Sequence, residues 1–214
     1  MKPPTFTKKT TIWTIILGLL MFYAWFEGSL FGDINKIGDR LELTSSAAGA
    51  NIGGPFSLID HNGKTVTEKN FSNRHKLVFF GYSWCPDICP TELLVISKVL
   101  EILDVEKSKL ATLFITIDPT RDTPEQLASY LSIFHPDIIG LTGTRKQIEA
   151  AAKEYRVYYR RVNNPEAEDS SIDDDYIMDH SVYIYLISPE DEYVRHFSRG
   201  QEPVEIAEEV RKHL

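Results

Sequence analysis

One stretch of this 214-residue chain decides how it folds: Val78-Phe79-Phe80-Gly81-Tyr82-Ser83-Trp84-Cys85-Pro86-Asp87-Ile88-Cys89-Pro90. Its first part belongs to a continuous apolar run, residues 77–82, which is typical of a central strand. Its last part predicts the start of a helix, because Pro90 suits the first helical position, where the missing N–H is not needed. The two cysteines of the chain therefore lie where a strand passes into a helix.

Cys85 and Cys89 are four residues apart, so a helical backbone places both sulfurs on one face. The positive end of the helix dipole favours the thiolate, which predicts a lowered pKa for both thiols. Such a pair can close a disulfide, exchange electrons with a partner or point at one soft metal ion. In an oxidising compartment a structural disulfide is the usual outcome. The two cysteines alone leave these uses open.

An apolar segment near the N-terminus predicts where the protein sits. Residues 11–26 (TIWTIILGLLMFYAWF) carry no charge, and with the residues that follow, to 31, they are long enough for a membrane-spanning anchor. The preceding tail, residues 1–10, holds three lysines and no acid, so we expect it to stay in the cytoplasm. The sequence after the anchor matches a signal-peptidase site poorly, which favours an uncleaved single-pass anchor.

The rest of the chain predicts a linker, residues 32–52, and one domain, residues 53–214. Strands that alternate with helices favour an α/β fold with a largely parallel sheet. The chain has 23 Lys and Arg against 31 Asp and Glu. Without the three lysines of the tail the balance is 20 to 31, a net charge of −11. Nucleic-acid binding is disfavoured, because it needs a basic face.

Two thiolates rarely make a selective metal site, so a third ligand is needed. Five of the six histidines lie in turns, at helix ends or beside charges, where structural or solvated roles are expected: His61, His75, His135, His196 and His213. His180 differs, since it directly precedes an apolar run, residues 182–187, that predicts a central strand. Side chains at strand ends are where α/β folds gather their site residues.

Three separated motifs then resemble the Sco (SenC) family. Phe79-Phe80-Gly81-Tyr82 precedes Cys85-Pro86-Asp87-Ile88-Cys89-Pro90, Asp118-Pro119 precedes Arg121-Asp122-Thr123-Pro124, and Asp179-His180-Ser181 precedes an apolar strand. The resemblance covers about residues 50–214, and the N-terminal anchor also matches it. It implies a thioredoxin-like fold, with a central mixed sheet flanked by helices, behind an N-terminal transmembrane helix.

The resemblance also implies a function. It indicates a membrane-anchored copper chaperone that binds copper, as Cu(I) or Cu(II), through Cys85, Cys89 and His180. Family members help to assemble the dinuclear copper centre of cytochrome c oxidase subunit II, which implies that subunit as the partner, with a second copper chaperone and a thiol reductant as further partners. The implied location is the inner membrane, with the domain in the periplasm, or in the intermembrane space if mitochondrial.

Other chemistry stays open beside this interpretation. A thiol–disulfide oxidoreductase that reduces the cysteines of the copper acceptor would use the same Cys85 and Cys89; a conventional enzyme is not expected. A peroxidase on a thioredoxin-like scaffold lacks its usual threonine before the reactive cysteine. Zinc needs a fourth ligand, for which Asp87 and Asp179 are the obvious candidates.

Several polar residues have a structural interpretation as well as a functional one. Asp87 fits the N-terminus of a helix as well as a role in tuning the thiolates. Asp118 and Asp122 are expected in a turn and at a helix cap, with Thr123 as the other candidate for the cap. Residues 163–179 are acidic and without a base, so they are expected to form a solvated insertion or to attract a basic partner.

Overall fold

The structure is a computed structural model that describes residues 21, 23, 52–163 and 176–214. Within those residues the chain forms nine strands, as follows: β1 Ser57–Asp60, β2 Thr65–Thr67, β3 His75–Gly81, β4 Leu110–Thr116, β5 Ile138–Thr142, β6 Tyr159–Asn163, β7 Tyr176–His180, β8 Tyr183–Ile187 and β9 Tyr193–Ser198. The same part of the compact unit Asn51–Leu214 holds four α-helices: α1 Ile88–Leu103, α2 Pro124–Leu131, α3 Arg145–Glu154 and α4 Pro203–Arg211. Two short 3-10 helices, Glu68–Phe71 and Asp104–Lys109, also lie in it.

Seven strands form one mixed sheet in the order β2-β1-β5-β4-β3-β8-β9. The central strands β3, β4 and β5 are parallel, whereas β8 runs antiparallel to β3 and β1 antiparallel to β5. The prediction of a mixed sheet flanked by helices is confirmed, and the expectation that the sheet is largely parallel is wrong. Tight turns join β1 to β2 and β8 to β9, and such hairpins pair their strands antiparallel.

The core lies around β3 and β4, because both strands are buried along almost their whole length. Helices α1 and α4 pack against each other, α2 packs on β5, and α3 packs on β1. The continuous apolar run around residues 77–82 therefore lies in the middle of the sheet, as its composition predicts. Its C-terminal end carries the chain directly to the cysteines.

Two strands form a separate sheet in which β6 pairs antiparallel with β7. The segment before His180 is thus a strand, where the sequence predicted a loop leading into β8. His180 is the last residue of β7 and lies opposite Tyr159 of β6. The metal-ligand candidate is therefore carried by a hairpin outside the main sheet.

The predicted tail, anchor and linker (residues 1–10, 11–31 and 32–52) lie outside the described residues, except for Met21, Tyr23 and Ile52. Among the residues that are described, no helix is long and apolar enough to cross a membrane. The acidic residues 164–175 also lie outside them. The domain boundaries and the anchor stay predictions.

Candidate metal centre

The cysteine pair lies in the turn between β3 and α1. Helix α1 begins at Ile88, two residues before the predicted start. Asp87 is its N-cap residue, and the Asp87 carbonyl accepts the Thr91 hydroxyl at 2.9 Å. Cys89 is therefore already in the first helical turn, and Cys85 precedes the helix. The Cys89 N–H donates to the Cys85 sulfur at 3.4 Å. Both thiols are free in the structure.

The buried cysteine depends on a glycine. Cys89 is fully buried, and a Cβ added to Gly81 would lie 2.9 Å from its sulfur and 2.8 Å from Cε2 of Phe114. Separations below 3 Å are not tolerated by real Cβ atoms. Gly81 in the motif Phe79-Phe80-Gly81-Tyr82 therefore makes room for the Cys89 sulfur at the end of the central strand.

The two thiols differ in protonation. The Cys89 thiol donates to the Cys85 sulfur, and this lowers the pKa of Cys85 from 9.0 to about 5 against the opposing effect of burial. The N–H groups of Cys89, Asp87 and Ile88 add to the shift, as expected at a helix N-terminus. The pKa of Cys89 is raised, first by its hydrogen bond to Cys85 and then by burial. The expected pKa decrease therefore holds for Cys85 and is wrong for Cys89.

His180 faces the cysteines with a defined nitrogen. Its Nδ1 lies 2.9 Å from the carbonyl oxygen of Ser181. A carbonyl oxygen can only accept, so Nδ1 carries a proton, and in the neutral imidazole Nε2 has the free lone pair. Nε2 lies 3.6 Å from the Cys89 sulfur. The ring of Tyr82 meets the imidazole edge-on, with centroids 6.1 Å apart.

The Cys89–His180 distance fits two ligands of one ion. An ion held at about 2.3 Å from sulfur and about 2.0 Å from nitrogen, with about 120° between them, separates those atoms by about 3.7 Å. No group of three or more His, Cys, Asp or Glu side chains in residues 52–163 and 176–214 is already spaced to hold a metal ion. Cys85 contacts Cys89, whose N–H donates to its sulfur at 3.4 Å, and Cys89 contacts His180 at 3.6 Å, so Cys89 lies next to both of the other candidate ligands.

A cavity of about 390 Å³ opens beside this cluster. Its lining is mainly apolar, and it reaches both Cys85 and His180. Asp87 is at its rim with a side chain that is 75% exposed, 4.0 Å from Arg199. Trp84 is 59% exposed. A partner can therefore reach Cys85 and His180 from solvent, while Cys89 is covered.

The sequence predicted the cap of α2 but not the burial of the aspartates in the loop between β4 and α2. Thr123 caps α2, because its hydroxyl accepts the Gln126 N–H at 3.2 Å. Asp118 lies in the expected turn, where its carbonyl accepts the Arg121 N–H at 3.2 Å, whereas Asp122 is not the cap residue. The side chains of both aspartates are buried and contact other parts of the site. The sequence signal for a role beyond the turn was the motif Asp118-Pro119. A turn alone does not require two buried carboxylates, so their burial indicates a further role.

Two of the histidines for which the sequence predicted structural or solvated roles contact residues outside the site. Nδ1 of His61 accepts the Gly140 N–H at 2.9 Å, which ties the β1–β2 turn to β5. His196 contacts the Tyr193 hydroxyl at 2.6 Å. Asp179, a candidate zinc ligand, pairs with Arg160 across the β6–β7 hairpin at 3.2 Å.

Known proteins are similar to this chain in sequence and in fold. The SCO1/SenC family profile matches residues 44–214. The mitochondrial SCO1 homolog of Mus musculus is 44% identical over 168 residues, which cover 76% of this chain and 56% of the mouse protein. The SCO2-like protein of Rickettsia felis is 40% identical over 182 residues, covering 85% of this chain and 82% of that protein. The chain thus spans little more than half of the mitochondrial relative.

Solved structures agree with the fold. The structure of Bradyrhizobium japonicum ScoI with copper bound is 41% identical and superposes with a TM-score of 0.69. The match covers 76% of this chain and 99% of that one. The predicted thioredoxin-like fold is confirmed by this likeness.

Proposed function

The chain belongs to the SCO1/SenC family, and we propose that it binds copper through Cys85, Cys89 and His180 and delivers it to the dinuclear copper centre of cytochrome c oxidase subunit II. The Sco family is one of cytochrome c oxidase assembly proteins, and the copper-bound ScoI supports copper as the metal. Copper is the cargo in this proposal.

One observation carries the proposal. The Nε2 lone pair of His180 faces the Cys89 sulfur at 3.6 Å, while Nδ1–H is held by a backbone carbonyl. Fixing the second ring nitrogen orients an imidazole for metal binding. Two thiolates with one imidazole form a soft donor set that suits Cu(I). Zinc fits less well, because it prefers four ligands. Of the two candidate oxygen ligands, Asp179 is paired with Arg160, and Asp87 is 75% exposed and lies 4.0 Å from Arg199.

The environment of Cys85 favours transfer by ligand exchange. Its lowered pKa keeps it a thiolate at neutral pH, and the adjoining cavity leaves it accessible from one side. An incoming thiolate of the acceptor can therefore take copper at the Cys85 side while the covered Cys89 still holds it. In this proposal, an N-terminal anchor would hold the domain at the outer face of the inner membrane, in the periplasm or the intermembrane space.

The same thiolate supports a second candidate function. A half-buried cysteine with a pKa of about 5 beside a covered thiol is the arrangement of an attacking and a resolving cysteine. Cys85 would attack a partner disulfide, and Cys89 would release the partner by closing the Cys85–Cys89 disulfide. Two electrons pass from the pair to the partner, which leaves as a dithiol.

Copper affinity in ligand variants tests the proposal. The reduced full chain is titrated against a Cu(I) chelator, together with Cys85→Ser, Cys89→Ser and His180→Ala. We expect one copper per chain and a large loss of affinity in each variant, because each removes one donor of the set. His196→Ala, which changes an exposed histidine of β9, is the matched control and should bind as the parent does.

Two results would reject the copper proposal. Parent-like affinity of His180→Ala would show that the histidine is not a ligand. A parent that binds no copper yet reduces a disulfide in the acceptor would assign the pair to the oxidoreductase function instead.

A further inference from the structure

The loop after β4, residues 117–122, contacts both halves of the proposed metal site. On the cysteine side the contact is made by Asp122, which is fully buried. Its carboxylate accepts the Ser83 N–H at 3.1 Å and the Ser83 hydroxyl at 2.5 Å, as well as the Thr116 hydroxyl at 2.6 Å. Ser83 lies two residues before Cys85, so these bonds fix the backbone that leads into the cysteine pair.

On the histidine side the same loop holds the first residue of β7. The guanidinium of Arg121 lies 3.7 Å above the ring of Tyr176 and donates to the Tyr176 carbonyl at 3.1 Å. The Tyr176 hydroxyl donates to the Asp118 carboxylate at 2.8 Å. Asp118 also pairs with Arg121. We call this group of Asp118, Arg121 and Tyr176 the Tyr176 clasp.

The β6–β7 hairpin needs such an attachment. Its two strands belong to a sheet of their own, and an isolated two-stranded sheet is marginally stable. Two side chains of the main body bond to the edge of β7: Arg121 at the Tyr176 carbonyl and Tyr82 at the Met178 N–H, the latter at 3.2 Å. His180 comes two residues after Met178 on the same strand. The position of its imidazole is therefore set by how firmly β7 is held.

Because this inference rests on the proposed copper function, it concerns the geometry of that site. We propose that residues 118–122 are the positioning element of the metal site, and that the Tyr176 clasp sets where His180 stands against the cysteines. Asp122 fixes the cysteine side and the clasp fixes the histidine side, so one short loop sets their separation. A metal site tolerates errors of only about 0.5 Å in ligand position.

The clasp residues are positioning residues and touch no metal. Tyr176→Phe removes the hydroxyl that donates to Asp118 and keeps the ring under Arg121. Arg121→Lys keeps the charge but loses the planar group that stacks on Tyr176 and bonds its carbonyl. Both changes leave the cysteines and His180 in the chain. Tyr193→Phe, which removes a tyrosine hydroxyl from β9, is the matched control.

The first readout needs no copper. In the reduced full chain, nitrogen NMR of the His180 imidazole reports its tautomer and its environment. We expect the Nδ1–H tautomer in the parent and in Tyr193→Phe. In Tyr176→Phe the His180 signals should shift or broaden, while the Ser83 and Trp84 amide signals keep their parent positions. Arg121→Lys should shift the His180 signals as well, and it should also affect Tyr82 and Trp84, because the guanidinium lies 5.8 and 5.6 Å from their ring centroids. His180 signals identical to the parent's in both clasp variants would overturn the proposal.

The second readout is the coupling between the clasp and the ligand. We expect Tyr176→Phe to weaken Cu(I) binding about tenfold, as for loss of a hydrogen bond to a charged group, and to cause no further loss when combined with His180→Ala. An equal loss in both backgrounds would overturn the proposal, because the clasp would then act through the fold or the cysteines. A parent that binds no copper would reject the proposed function, and the NMR readout would still decide whether the clasp positions His180.

Discussion

Cys85 and Cys89 are only four residues apart, and their surroundings shift their pKa values in opposite directions. Cys85 receives hydrogen bonds from the Cys89 thiol and from N–H groups at the start of α1. Cys89 is the donor in this pair and is fully buried. At neutral pH the pair therefore holds one proton, and Cys89 carries it. Copper must displace that proton to gain its second thiolate.

A thiolate titration tests this assignment. In the reduced full chain, ultraviolet absorbance should show one thiolate forming with a midpoint near pH 5, and the Cys89 thiol should resist ionisation beyond the ordinary value of 9.0. Cys85→Ser should abolish the acidic step. Cys89→Ala should move it upward, since the side-chain donor that is the largest cause of the lowered pKa is then removed. Two thiols that both titrate near 9.0 would contradict the assignment.

The sign of the linked stability follows from the same shifts. The pKa of Cys85 is lower in the folded chain than the ordinary 9.0, so its ionisation favours the folded state. That contribution is complete above pH 9.0 and is lost as the pH falls to about 5. Cys89 acts in the opposite sense, because its raised pKa favours folding while the thiol is protonated and disfavours it as the pH rises past 9.0.

At the scale of elements, a buried lysine joins β3 to the turn between β8 and β9. Lys76 is fully buried. Its ammonium donates to the Ser188 carbonyl at 3.0 Å and pairs with the Asp191 carboxylate at 2.9 Å. This contact lies at the N-terminal end of β3, and Cys85 follows the other end. A buried charge of this kind depends on its partner.

Two substitutions should therefore have unequal effects on stability. Asp191→Asn leaves the buried ammonium of Lys76 without its paired carboxylate and should cost about 3–5 kcal/mol of unfolding free energy. Lys76→Met removes the charge itself and should cost much less, because the Asp191 side chain is 31% exposed and can be solvated. Asparagine tolerates the positive φ of 67° at position 191 as aspartate does. Denaturant unfolding measures both, and equal losses would contradict this explanation.

For the molecule as a whole, the sequence predicted what local patterns determine. The central strand, the cap of α2 and the alternation of strands with helices follow from periodicity and from cap residues. The start of α1 was misplaced by two residues, since Pro90 is tolerated anywhere in the first turn. Because proline is accepted at several positions of the first turn, its place in the sequence does not show which N–H groups are the first free ones of the helix.

The parts that sequence did not predict depend on long-range contacts. β7 pairs with β6 across a long connection, so no local pattern marks it as a strand. Asp122 is of a residue type that often caps helices and lies just before α2. Its side chain nevertheless points into the interior, because the hydroxyls of Ser83 and Thr116 supply hydrogen-bond donors there. Contacts between segments far apart in the chain decide such orientations, and one sequence does not reveal them.

The central claim is that one copper is held by two sulfurs and one nitrogen. X-ray absorption of the full chain loaded with one equivalent of Cu(I) measures this ligand set directly. We expect two sulfur donors and one imidazole nitrogen, and loss of the imidazole signal in His180→Ala with both sulfurs retained. A parent spectrum with sulfur donors alone, unchanged by His180→Ala, would contradict the assignment of Cys85, Cys89 and His180 as the copper site.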